Sequence, residues 1–280
     1  MKNQIQISSK KNILHTLHYL SLDVVLGAVA SSSMFWKMPD GKGIINIPSL
    51  LVLGICTWII YIFDRLLDNL KSDPEDARHQ FHFQHQYYLQ IGIIMLLLMA
   101  GILVFFLPKS VIYFGILLLM LLRVYFYILK KKSKSADYQH FKEIFTAAIY
   151  TLCVAGTALV MKENLDWKVY LSAGIFFLLV LQSLLIFSTF ELKSYPETKN
   201  LAKKLGKIYC TYLIFGITAL TAFCYFFLAN IFLQKVFYIE TLMAICSTLI
   251  YVFNEKLSKN ERYRWLGEMV FWLPFVLIFF

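Results

Sequence analysis

The chain has 280 residues, of which 59% are hydrophobic and 16% charged, with a formal net charge of +10 and a mean hydropathy of +0.64. A water-soluble chain carries about a quarter charged residues and just under half apolar ones, so the composition excludes an ordinary soluble globular domain, a disordered chain and a DNA-binding module. The five cysteines, Cys56, Cys153, Cys210, Cys224 and Cys246, stand singly in apolar stretches with no CxxC pair. They read as packing residues, not as a disulfide framework or a metal site.

A spanning helix needs about 20 mostly apolar residues, and that window predicts nine spans in an all-α, polytopic integral membrane protein. In chain order they are 13–34, 45–67, 87–107, 111–129, 141–161, 169–190, 208–228, 231–253 and 263–280, in one domain covering residues 1–280. Breakers separate them: Pro39-Asp40-Gly41, Pro108, Ser133 to Ser135, Pro196 and Asn254. The first stretch has the outline of a signal peptide, with Lys10 and Lys11 ahead of it and Ala28-Val29-Ala30 near its end. His15, His18 and Asp23 interrupt its apolar run, so it is expected to stay as a helix.

Of the 27 basic residues, all but Lys37, Lys42, Lys109, Lys162, Lys168 and Lys235 fall on segments that share a side with the N-terminus. The positive-inside rule then places the N-terminus in the cytoplasm and the C-terminus outside, as expected for a bacterial inner membrane. Orientation and contact with anionic lipid heads account for the charge, and no nucleic-acid partner is needed.

The inner ends of two predicted spans carry the chemistry. Asp64 and Asp68, four residues apart, share one face of a helix. From Pro48 to Asp64 is 16 residues, about 24 Å of helix, which places the pair near the inner interface. Two carboxylates so spaced repel each other and gain from a divalent cation; Mg²⁺ binds through one or two carboxylates plus substrate phosphates. The alternative is a solvated helix end. A basic-aromatic run follows, Arg78-His79-Gln80-Phe81-His82-Phe83-Gln84-His85. Its three-residue histidine repeat has no carboxylate or cysteine beside it to make a zinc site. The sixth span ends in Glu191-Leu192-Lys193-Ser194-Tyr195-Pro196-Glu197 on the same side. Asp23, an acid inside the first predicted span, is a functional candidate by default; its alternative is a protonated acid hydrogen-bonded between helices. Glu240 and Glu268 read as structural.

Nine helices with acidic motifs after the second and sixth on the cytoplasmic side resemble the UbiA superfamily of membrane prenyltransferases. Asp64 and Asp68 match the last two acidic positions of that family's NDxxDxxxD motif, with Ile60 and Tyr61 in place of its Asn-Asp pair. Arg78 stands where the family has an arginine, and Tyr127 with Lys131 resembles its segment at the inner end of the fourth helix. The second motif, DxxDxxxD, is matched by Glu191 alone, with Ser194 and Thr198 at the later acidic positions and Glu197 one residue aside.

The resemblance implies transfer of a prenyl group from an isoprenoid diphosphate donor to a lipophilic or aromatic acceptor. It implies Mg²⁺ as cofactor, held by Asp64, Asp68 and Glu191 with Glu197. Arg78, His79, His82, Lys130, Lys131 and Lys193 are then the phosphate contacts. Tyr127 joins the substrate-binding residues, and Tyr61, Tyr125 and Tyr195 can face the allylic cation. Asp23 lies towards the acceptor, and no general base is evident. A catalytically impaired scaffold of the same fold, and a transporter using Asp23 and the inner carboxylates, are the competing expectations.

Overall fold

A computed structural model describes residues 13–69, 77–132, 141–163, 165–227, 231–258 and 261–279. Among them the architecture is helical, without strands. The helices are α1 Ile13–Tyr19, α2 Leu22–Lys37, α3 Ile47–Asn69, α4 Ala77–Gln84, α5 Gln86–Val104 and α6 Lys109–Lys132. They continue with α7 Lys142–Leu159, α8 Trp167–Ser194, α9 Leu201–Phe227, α10 Ile231–Val252, α11 Asn254–Leu257 and α12 Arg262–Val270, closed by a 3₁₀ turn at Leu273–Phe279. Six of these, α3, α5, α7, α8, α9 and α10, are long and apolar enough to cross a membrane.

Local chemistry sets the ends of these helices. Asn46 caps α3, its side-chain oxygen accepting from the Ser49 amide at 2.9 Å and the Ser49 hydroxyl at 2.8 Å, with Pro48 inside the first turn, where a missing N–H costs nothing. Asp166 accepts from the Lys168 amide to start α8, and Asn200 from the Lys203 amide to start α9. The last carbonyls of α2 receive a cation instead. Lys162 Nζ lies 3.1 Å from the Phe35 carbonyl and 2.8 Å from that of Trp36, and also bonds the Met38 carbonyl. Burial pushes this ammonium down to about 8, against the opposing pull of Asp40.

The first and last predicted spans are not continuous helices. Residues 13–34 divide between α1 and α2 at Ser21, whose φ of 56° is left-handed, a conformation that costs an L-residue about 1–2 kcal/mol. Residues 263–280 divide between α12 and the 3₁₀ turn, where Pro274 has no N–H to continue the ladder. The predicted 111–129 span lies within α6, a helix of 24 residues.

Burial separates central from peripheral helices. More than half of the apolar windows of α8 and α10 are buried (56% each), against 11% of α5. α8 packs on α7, α9, α10 and α12, while α2 packs on α3, α7, α12 and the closing 3₁₀ turn. The Gln182 amide nitrogen ties three long helices together from a fully buried position. It lies 3.0 Å from the Ile214 carbonyl and from Thr218 Oγ1 on α9, and 3.1 Å from Thr248 Oγ1 on α10. Such polar ties form where lipid leaves no hydrophobic force to hold helices together. α5 and α6 present Ile94, Leu98, Ile102, Leu119 and Met120 outward, each 58–66% exposed. So continuous an apolar surface needs a non-aqueous neighbour.

Candidate functional site

Asp64 stands in the C-terminal half of α3 with the side chain partly buried. Tyr61 lies one turn earlier on the same face. Tyr150 of α7, half-buried, has Tyr61 of α3, Glu268 of α12 and Cys153 of its own helix within electrostatic range, a polar patch in an otherwise apolar bundle. Among the described residues Asp64 makes no ion pair or hydrogen bond to another side chain.

The second acidic end meets this patch through α12. Arg264 donates to Glu191 at 2.7 Å, with the arginine side chain 12% and the glutamate 35% exposed. Glu268 follows Arg264 by four residues, one turn along the same face. Gly267 lets the two helices come this close: a Cβ there would stand 2.5 Å from the Phe187 ring on α8. Tyr263 fixes the start of α12 by stacking on Phe190 at 4.0 Å, with the rings 2° from parallel. Arg264 and Glu268, which the sequence passed over as topological and structural, thus hold Glu191 and reach the Tyr150 side of α7 respectively. Their i, i+4 spacing was the available signal.

Asp23 is 4% exposed and closed on by its neighbours. His18 Nδ1 pairs with its carboxylate and the Val24 amide donates to the other oxygen at 3.0 Å. The Trp272 indole donates to the Asp23 backbone carbonyl at 2.8 Å. His18, itself 7% exposed, was not read as a site residue. Its partner lies five residues away, a spacing that no continuous helix brings together and that the bend at Ser21 allows. Amphipathic α4 packs against α1 and α3 over this corner, with Phe81 against Tyr19 at 5.6 Å and His82 fully buried.

The remaining predicted residues distribute as follows. Lys193 donates to Asn254 Oδ1 at 2.6 Å. It lines a pocket of about 220 Å³ with Thr189, Phe190, Leu192, Ala202, Lys207, Cys210, Tyr251 and Asn254. Two residues along a helix turn by about 200°, so Lys193 points away from the Glu191–Arg264 pair. Glu197 is fully exposed, 4.0 Å from Lys203. Tyr127 is 65% exposed on α6. The side chains of Asp68, Arg78, His79, Lys130 and Lys131 lie outside the described residues, although their backbones are helical. Among the described residues no three His, Cys, Asp or Glu side chains gather as a metal cluster. In donor type the carboxylates of Asp64 and Asp68 suit Mg²⁺, a hard cation that takes oxygen ligands and leaves positions for phosphate.

No family model, curated protein or solved structure matches the chain. Fold therefore defines its class: among the described residues the chain is all-helical, with six helices long and apolar enough to cross a membrane. Towards one end of these helices Arg264 of α12 pairs with Glu191 of α8, and Glu268 lies within electrostatic range of the half-buried Tyr150 of α7.

Proposed function

We propose that the chain is an intramembrane prenyltransferase of the kind its motifs resemble, moving a prenyl group from an isoprenoid diphosphate to an aromatic or lipophilic acceptor. In this proposal the chain crosses a bacterial inner membrane nine times, with the N-terminus and the acidic ends in the cytoplasm. The observation that carries the reading is the link through α12. Arg264 holds Glu191, and one turn along α12 Glu268 lies within electrostatic range of Tyr150, which Tyr61 of the first motif's helix also reaches; this supports a polar region shared by α3, α7, α8 and α12.

Asp64 and Asp68, joined by Glu191 and Glu197, would hold Mg²⁺, which would supply positive charge to the leaving diphosphate. Arg78, His79, His82, Lys130 and Lys131 bind phosphate oxygens, the cations as point charges or forks, while Lys193 of the same set faces the other side of α8. Tyr61 and Tyr150 turn ring faces towards the allylic carbon and stabilise positive charge there. The apolar shell of α3 and α7 keeps water from capturing that charge before the acceptor does.

The test is Mg²⁺-dependent binding of a non-hydrolysable prenyl thiodiphosphate to the purified protein, wild type against Asp64→Ala/Asp68→Ala. Saturable binding that requires both the metal and the aspartates is expected. Absence of binding at every chain length would refute a donor site and leave the scaffold and transporter alternatives standing.

A further inference from the structure

A second site lies on the other side of α8, and it does not depend on the prenyl-transfer reading. We infer that the pocket between the inner ends of α8, α9 and α10 holds the phosphate of an anionic phospholipid.

The pocket is built at the end of the bundle where three long helices meet: Thr189, Phe190, Leu192 and Lys193 from α8, Ala202, Lys207 and Cys210 from α9, Tyr251 from α10 and Asn254 from α11. Its lining contains two lysines and no carboxylate. The acids near it in sequence are engaged elsewhere or outside it: Glu191 is paired with Arg264, and Glu197 lies beyond Lys203 in solvent. Phe190, Leu192, Ala202 and Cys210 make an apolar floor, while the Asn254 amide and the Tyr251 hydroxyl, 2.7 Å from Thr211 Oγ1, supply polar groups at the rim. Compact ammonium charges with neutral donors beside them match a phosphate ester.

Backbone geometry produces this arrangement. Gly206 has φ 77° and ψ 160° inside α9, a combination that a side chain at that position would resist. The helix breaks there. Leu201–Leu205 becomes a separate short turn, and Lys207 starts the long segment facing Lys193.

Size and surroundings identify the ligand as a lipid. At about 220 Å³ the pocket is smaller than the ~300–1,000 Å³ of sites that enclose whole small molecules, so it takes a head group and leaves the rest of the molecule outside. Past Lys207, and about 100° round α9 from it, Ile208, Tyr212 and Phe215 face outward, 67%, 70% and 47% exposed. That is an apolar track for acyl chains beginning at the level of the cations. Basic pockets between spanning helices at a membrane face recognise anionic head groups by this combination.

The experiment is native mass spectrometry of the full chain in detergent, titrated with phosphatidylglycerol, phosphatidylcholine or inorganic phosphate. Saturable binding of one phosphatidylglycerol, preferred over phosphatidylcholine, is expected. Lys193→Gln/Lys207→Gln should weaken it about tenfold or more, the scale expected for two interfacial charges. Lys193→Arg/Lys207→Arg should restore it, and Lys199→Gln/Lys204→Gln, which removes the same charge outside the pocket, should leave it unchanged. Equal losses in the two glutamine pairs, or none in either, would overturn the pocket. Displacement by inorganic phosphate without any preference between the lipids would overturn the lipid assignment in favour of a free phosphate.

Discussion

Glu143 tests how one end of the bundle is held. It sits in the first turn of α7, 9% exposed, and one carboxylate oxygen accepts two bonds. These come from the Ser188 hydroxyl of α8 at 3.1 Å and the Leu201 amide of α9 at 3.0 Å. A single side chain therefore joins three helices and satisfies an orphan N–H at the start of α9. In Glu143→Ala both donors lose their acceptor while remaining 4% and 8% exposed. A buried donor left unsatisfied costs about 1–3 kcal/mol. The serine hydroxyl can rotate towards a carbonyl of its own helix, so the expected loss is about 2–4 kcal/mol and not the sum of two full penalties. Glu143→Gln keeps an oxygen in place and gives up only the charge near a helix N-terminus, worth about 0.3–1 kcal/mol. Unfolding in mixed micelles under SDS titration, followed by circular dichroism, measures both. Alanine and glutamine variants within about 0.5 kcal/mol of one another would refute the hub, because the argument rests on the acceptor atom and not on the charge.

Two further predictions concern the ionic contacts. The Glu191–Arg264 pair lies between a solvent-exposed bridge, worth about 0–1 kcal/mol, and a fully buried one, whose rupture costs about 3–5 kcal/mol. With exposures of 35% and 12%, a double-mutant cycle of Glu191→Gln and Arg264→Leu on unfolding free energy should give a coupling of about 1–2 kcal/mol, and a value near zero would separate α12 from α8. Lys162 has its proton affinity lowered to about 8 in the fold, against about 10.4 in an unfolded chain. Between those values unfolding takes up a proton, so raising the pH favours the folded state across that window; below about 8 both states are protonated and the dependence vanishes. Thermal midpoints at pH 7 and 9.5 should show the wild type gaining on Lys162→Met at the higher pH, and a constant gap would contradict the shift.

The sequence by itself determined the class of the fold. Apolar windows of membrane length show in composition alone because each helix meets lipid or another apolar helix, and both demand the same residues. Breaks such as Pro39-Asp40-Gly41 and Pro108 are equally local and equally legible. Interrupted helices were less so. The bend at Ser21 and the end of α12 are imposed by partners, His18 with Asp23 and Trp272 with the Asp23 carbonyl, and an 18-residue hydropathy window averages over them.

The candidate site divides in the same way. Asp64, Glu191 and Asp23 stand out in the sequence because charge is expensive near lipid. Tertiary structure alone decided which groups they meet: Arg264 comes to Glu191 from more than seventy residues away, Glu268 to Tyr150 from over a hundred, and Lys207 to Lys193 across the break at Gly206. Those pairings depend on which helix faces pack together, and the apolar residues that pack them are chemically alike around each helix. Burial drives the helices together without direction; the few polar contacts select the faces.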